Sequence, residues 1–270
     1  MIDPVVGLDW VRERGDRVVL ADVRWYLDGR SGRAAYESGH LPGAVFVDLD
    51  RWLARHGSAD GGRHPLPEPE VFAQGMAAVG IGDGDVVVGY DDAGGVVAAR
   101  LVWMLRAIGH EAALLDGGLS AYEGELVRDE PDRPAGVFTA RAWPADRLAG
   151  IDDAADGSAV VLDARDRARF RGDTEPIDPR AGHIPGARSL PCRENLADDG
   201  RFLAVPALRE RFLSVGVTAG ADVVSYCGSG VTACHNLLAL EHAGLGVGRL
   251  YPGSWSQYSA TSRPAATGDQ

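Results

Sequence analysis

Residues 222 to 243 read DVVSYCGSGVTACHNLLALEHA. Asp222 to Tyr226 has the β-branched and aromatic content of a short buried strand, and Ala233 to Ala243 reads as helix. Cys227 therefore ends an apolar run and opens a glycine-rich strand-to-helix turn, the joint from which α/β sheets are built. Gly228 and Gly230, with small neighbours, let successive backbone N–H groups of residues 228 to 233 point inward, and the helix N-terminus adds partial positive charge. The loop of Gly228, Gly230, Val231 and Thr232 is thus expected to be an anion nest, and such a nest stabilises a thiolate.

Working outward, the pattern occurs twice. Residues 85 to 122 (DVVVGYDDAGGVVAARLVWMLRAIGHEAALLDGGLSAY) line up with 222 to 258 (DVVSYCGSGVTACHNLLALEHAGLGVGRLYPGSWSQY). Upstream, 19 to 44 (VLADVRWYLDGRSGRAAYESGHLPGA) line up with 161 to 187 (VLDARDRARFRGDTEPIDPRAGHIPGA), sharing an Asp-x-Arg turn and a Gly-His-[Leu/Ile]-Pro-Gly-Ala end. Two matching blocks in one order, at an offset of about 140 residues, mark a duplicated domain.

Each copy alternates strand and helix patterns, the signature of an α/β domain with a mainly parallel sheet. Strands are expected at Val18–Ala21, Ala44–Val47, Val86–Tyr90 and Ala113–Leu115, and in the second copy at Val160–Asp163, Ala187–Leu190, Val223–Tyr226 and Arg249–Tyr251. Helices are expected at Val5–Glu13, Glu70–Val79, Val96–Ile108, Ala207–Val215 and Ala233–Ala243. The proline-containing, mixed-charge stretch after Glu123 reads as a linker, giving domains 1–125 and 147–270 joined by 126–146. Ligands of such open sheets sit beyond the carboxyl ends of the strands, where Cys227 falls. Aligning Tyr90 with Tyr226 sets Asp91 opposite Cys227, so only the second copy has a thiol there. The first is expected to be a catalytically inactive partner and the other wall of a cleft.

The chain has 270 residues, 45% of them hydrophobic, enough for two cores. No apolar run approaches the roughly 18 residues of a membrane span, and the acidic N-terminal stretch is unlike a signal peptide, so a soluble cytoplasmic protein without membrane partners is expected. Three cysteines without metal-ligand spacing, Cys192, Cys227 and Cys234, indicate free thiols in a reducing compartment rather than a disulfide framework or zinc site. A net charge of −12 argues against nucleic acid as a partner. There is no lysine; codon bias is the simplest cause, and any fixed cationic anchor must then be a guanidinium, which holds carboxylates in a bidentate fork.

The paired GHLPGA (39–44) and GHIPGA (182–187), WYL (25–27), DGG (116–118), GSWSQY (253–258) and above all CGSGVTA (227–233) carry a resemblance over about residues 5 to 260. The chain resembles the tandem-domain rhodaneses, the family of thiosulfate sulfurtransferase and 3-mercaptopyruvate sulfurtransferase. The resemblance implies two tandem rhodanese-like α/β domains and sulfur transfer from a small anionic donor. Cys227 would attack the donor's outer sulfur, expel sulfite or pyruvate, and hold the sulfur as a persulfide. A thiol acceptor, thioredoxin-like or of low molecular weight, or cyanide would then take it. The uncharged Gly228 and Ser229 resemble the mercaptopyruvate branch, where the thiosulfate branch carries basic residues; thiosulfate stays the alternative donor. No cofactor or metal is implied.

The resemblance also implies roles for residues outside the loop. Arg169, in Arg169-Phe170, and an arginine before GHIPGA that falls near Arg180 would hold the donor, although GDTEPIDPR (172–180) is longer than the mercaptopyruvate pattern. Ser229, His64 and Asp50 match a serine, histidine and aspartate proton relay, and such a chain is physically plausible because a carboxylate-oriented imidazole can exchange a proton with a hydroxyl. His40 and His183 occur in both copies, including the one without cysteine, and are expected to bond backbone. Cys192 and Cys234 are expected to be inert.

Two rival readings fit the residues less well. A cysteine phosphatase needs Cys-x5-Arg to clamp phosphate, and the sixth residue after Cys227 is Ala233. A non-enzymatic sulfur-binding or partner-docking module would not need the cysteine, which is present.

Overall fold

The computed structural model describes residues 1–218 and 223–269; Asp222, expected to begin a strand, lies outside them. The chain forms two compact units, neither a single stretch of sequence. The first comprises Met1–Arg55, Pro67–Trp143 and Leu196–Phe202; the second comprises His56–Leu66, Pro144–Asn195 and Leu203–Gln270. This differs from a cut at 126–146. The expected linker is bonded onto the first unit: Val127 exchanges backbone hydrogen bonds with His40, the Gly136 N–H donates to Ala77, and Trp143 Nε1 donates to the Pro67 carbonyl.

In the first unit the elements are β1 (Val5–Val6), α1 (Leu8–Arg14), β2 (Val18–Asp22), α2 (Gly32–Ser38), β3 (Val45–Phe46), α3 (Pro69–Ala78), β4 (Val86–Tyr90), α4 (Ala99–Ala107) and β5 (Ala112–Leu115). The sheet has the order β1-β5-β4-β2-β3, with every pair parallel. Parallel neighbours need crossover connections, which the intervening helices supply. The helix expected at Val5–Glu13 is corrected. Val5 and Val6 instead pair with Leu114 and Leu115, and the helix starts only after Gly7, whose backbone is extended. A β-branched pair beside an open sheet edge gains more from pairing than from a first helical turn.

The second unit contains β6 (Val160–Asp163), α5 (Arg167–Arg171), β7 (Arg188–Ser189), α6 (Val205–Ser214), β8 (Val223–Tyr226), α7 (Ala233–His242), β9 (Arg249–Leu250) and α8 (Ser254–Tyr258). Its parallel sheet has the order β7-β6-β8-β9, the same as β3-β2-β4-β5. Central β8 is buried along its length, so it reads as a continuous apolar run rather than an alternation.

The repeated motifs lock the same joints twice. Arg24 grips Asp22 through Nε and Nη2 and also donates to the Gly39 carbonyl; Arg165 grips Asp163 and donates to Gly182 in the same way. His40 bonds the Tyr36 carbonyl and stacks on that ring, and His183 does the same with Phe170. The Tyr90 hydroxyl accepts from the Leu41 N–H, as Tyr226 does from Ile184. Buried ion pairs of this kind fix geometry more than they add stability. Among the described residues, no helix is long and apolar enough to cross a membrane.

Candidate active site

Cys227 follows β8 directly and is buried, at 2% exposure. Its Sγ accepts from the backbone N–H of Ser229 at 3.4 Å and of Gly230 at 3.1 Å. The turn that aims these donors needs glycine at 230: φ is +79°, and a Cβ there would lie 2.5 Å from the Pro252 carbonyl oxygen. Val231 and Thr232 complete the turn into α7, and the Thr232 side chain hydrogen-bonds the Cys192 thiol. Burial pushes Cys192 up to about 12, so it stays a neutral thiol at physiological pH. Cys234 donates to the Gly230 carbonyl and is buried within α7.

The opposite side of the loop is held by the GSWSQY segment. Trp255 N–H donates to the Cys227 carbonyl at 3.0 Å, Ser256 N–H to the Gly228 carbonyl at 2.9 Å, and Cys227 N–H to Ser254 Oγ at 3.1 Å. Ser254 has φ of +52°, the one left-handed non-glycine among the described residues. Strain of this kind, of order 1–3 kcal/mol, persists only where surrounding bonds impose it, and here they brace the cysteine.

Residues 56–66 belong to this unit because Ser256 Oγ accepts from the Arg63 N–H at 3.0 Å and Gly62 packs against the Gly253 carbonyl. His64 is thereby delivered to the loop, with Nδ1 2.7 Å from Ser229 Oγ. The pairing of His64 with Ser229 expected from the sequence is therefore in place. Asp50 lies in the first unit, at a π-helical turn (Leu49–Leu53) capped by Asp48, and its carboxylate accepts from Trp25 Nε1 at 2.9 Å.

Two guanidiniums converge on Gly228. A Cβ at that position would lie 2.8 Å from Arg63 Nη2 and 3.5 Å from Arg169 Nη1, so glycine makes room for charge beside the thiol. Arg169 reaches this position from α5. Arg180 is a correction. Its three nitrogens donate to the carbonyls of Ser259, Arg263 and Tyr258, capping the exposed carbonyls at the end of α8. Each of its three guanidinium nitrogens is thus engaged by backbone. Arg63, next to His64, takes the place beside the cysteine. Its adjacency to a candidate relay histidine in a chain without lysine was the available signal.

Both guanidiniums are held by carboxylates of the 172–180 segment. Arg169 pairs with Glu175 at 2.7 Å and with Asp178 at 3.1 Å, and Arg63 pairs with the other oxygen of Asp178. Burial opposes ionisation of Glu175, but Arg169 and the N–H groups of Asp178 and Ile177 outweigh it and hold the carboxyl below its ordinary range. Burial pushes the Asp178 carboxyl up, against the pull of Arg63.

The first copy answers Cys227 with Asp91, whose buried carboxylate accepts from Ala93, Gly95, Val97 and Ala98 N–H at 2.7–2.9 Å. Burial pushes this carboxyl up against those four bonds. All four contacts are donors, which suits the ionised form. The nest geometry therefore recurs with a carboxyl group in place of sulfur.

A family model described as "Rhodanese-like domain" matches residues 8–125 and 149–261. The chain is 43% identical over 270 residues to "Probable 3-mercaptopyruvate sulfurtransferase" of Pseudomonas aeruginosa, covering 93% of each. It is 42% identical over 265 residues to "Putative thiosulfate sulfurtransferase" of Mycobacterium tuberculosis, covering 95% of this chain and 93% of that protein. Among solved structures, the 3-mercaptopyruvate sulfurtransferase of Escherichia coli superposes with a TM-score of 0.82 at 32% identity, covering 94% of this chain and 99% of that one.

Proposed function

The chain belongs to the rhodanese family of sulfurtransferases, and from that premise we propose that it moves sulfur from 3-mercaptopyruvate through a persulfide on Cys227 to a thiol or to cyanide. The observation that carries the donor assignment is the 2.7 Å contact of Ser229 Oγ with His64 Nδ1 beside the cysteine. Thiolate attack on the donor's sulfur forms the S–S bond and breaks the C–S bond, whose electron pair leaves on carbon as the enolate of pyruvate. That carbon must be protonated. The sulfhydryl proton of the donor passes through Ser229 and His64 to C3, leaving an anionic persulfide and neutral-ketone pyruvate. Sulfite expelled from thiosulfate needs no such proton.

The loop serves the sulfur in both halves of the cycle. Ser229 and Gly230 N–H donate to the Cys227 sulfur before transfer, and the remaining N–H groups of the turn would cradle the outer sulfur of the persulfide. Arg63 and Arg169 hold the donor's carboxylate and carbonyl as a guanidinium pair. On the resemblance alone, Asp50 is proposed as the acid of the relay. An acceptor thiolate or cyanide then attacks the outer sulfur and restores Cys227. Three cysteines outside any disulfide support action in a reducing compartment, the cytoplasm.

The second reading, thiosulfate as main donor, is favoured by the Mycobacterium tuberculosis relative's name. Measuring kcat/KM for both donors with cyanide as common acceptor decides: mercaptopyruvate should exceed thiosulfate, and Ser229→Ala should lower kcat for mercaptopyruvate alone. A higher value with thiosulfate would overturn the donor assignment. Turnover retained by Cys227→Ser would overturn the nucleophile.

A further inference from the structure

The site's charges form an unbroken alternating chain: Asp163, Arg165, Glu175, Arg169, Asp178, Arg63. Three guanidiniums face three carboxylates, so the arginines beside Gly228 offer an incoming anion no net positive charge. Glu175 and Asp163 are fixed by more than their arginines. Glu175 also accepts from the Ile177 and Asp178 N–H groups, and Asp163 from the Arg165 N–H. Asp178 differs: among the described residues its carboxylate is held by Arg63 on one oxygen and Arg169 on the other, with no backbone donor. It hangs between Pro176 and Pro179, which stiffen its loop and deprive it of N–H groups.

We propose that Asp178 is an internal placeholder for the donor: its carboxylate bridges Arg63 and Arg169 as the carboxylate of the donor does on binding, and must be displaced for the donor to bind. The inference rests on the function proposed above and adds the residue that sets donor affinity. A carboxylate that bridges two guanidiniums occupies the positions an α-keto acid's carboxylate would take, and one held by those side chains alone, with no backbone donor, can give them up. Arg63 is the more exposed of the pair, 29% against 14% for Arg169, so exchange begins at that end.

Displacement strands a carboxylate in a buried place unless it turns outward or takes a proton. Asp178 is faced by Arg63 from the 56–66 segment, Arg169 of α5, Arg165 after β6 and Glu175 of its own loop. Burial already raises its carboxyl, so proton uptake accompanies donor binding. Falling pH neutralises Asp178, frees the two guanidiniums and tightens binding; rising pH does the reverse.

The test compares wild type, Asp178→Asn and Arg63→Gln in steady-state turnover of 3-mercaptopyruvate with cyanide between mildly acidic and mildly alkaline pH, together with calorimetric binding of pyruvate, a sulfur-free carboxylate. Asp178→Asn should lower both KM and the pyruvate Kd by about five- to tenfold, with kcat within about twofold, and should flatten the rise of KM with pH. Arg63→Gln should raise both by about tenfold or more. Unchanged or weaker pyruvate binding in Asp178→Asn, with wild-type thermal stability, overturns the placeholder and makes Asp178 a strut for the arginines. If Asp178→Asn is unstable, Asp178→Ser with the same binding measurement decides in the same way. Tighter pyruvate binding by Asp178→Asn without mercaptopyruvate turnover by wild type would sink the proposed donor and leave the placeholder standing.

Discussion

At the residue scale, two arginines that the resemblance names together are separated by their partners. Arg180 spends every guanidinium nitrogen on backbone carbonyls, whereas Arg169 reaches to within contact of Gly228. Arg180→Ala should therefore cost about 1–3 kcal/mol of stability through orphaned carbonyls, and leave KM for mercaptopyruvate near that of wild type. Arg169→Ala should raise that KM by about tenfold or more and raise the KM for thiosulfate less, since thiosulfate has no carboxylate. Thermal melts beside donor kinetics check both. The positions of Cys227 and Ser229 were legible in the local pattern of the loop, and those of His64 and Arg169 only through the motifs of the resemblance. Arg63, Glu175 and Asp178 were not, because an ion-pair chain between residues 63, 169 and 178 has no sequence periodicity.

At the scale of elements, the unit of function is the strand, turn and helix from β8 to α7, with α8 as its brace. The turn was readable from two glycines and small neighbours; the brace was not. GSWSQY looks like a loop, yet it folds as a five-residue helix entered through a left-handed serine and donates two N–H groups to the cysteine loop. Gly230→Ala should cost about 1–3 kcal/mol and abolish most turnover, because the methyl group meets the Pro252 carbonyl and φ is left-handed. A melt showing wild-type stability would mean that the turn relaxes without cost. Short elements α2 and α5 were also missed, since five to seven residues hold too little periodicity to separate helix from an arginine-rich loop.

At the scale of the whole molecule, one fold carries two nests and one reaction. The first unit keeps the sheet order, the Asp-x-Arg lock and the stacked histidine, and fills its nest with Asp91. It has Ala93 where the second has Ser229, and Ala35 where the second has Arg169. Asp91→Cys in a Cys227→Ser background should therefore restore no sulfur transfer to cyanide, and Asp91→Ala should destabilise the protein by about 3 kcal/mol through unmet N–H donors. Measurable transfer by the double variant would show that the nest alone suffices.

The sequence by itself determined the duplication, the parallel α/β class and the glycine turn that opens on Cys227, because these follow from short-range pattern: strand and helix periodicity, glycine turns and repeated motifs. The tertiary structure decided which stretch joins which unit, and which charges meet. Residues 56–66 join the second unit through Gly62, Arg63 and their bonds to 253–256. That packing brings Arg63 and His64 to a cysteine more than 160 positions away, within reach of Asp178. Distances of that kind are set by burial and hydrogen-bond satisfaction over the entire unit, which no local pattern records.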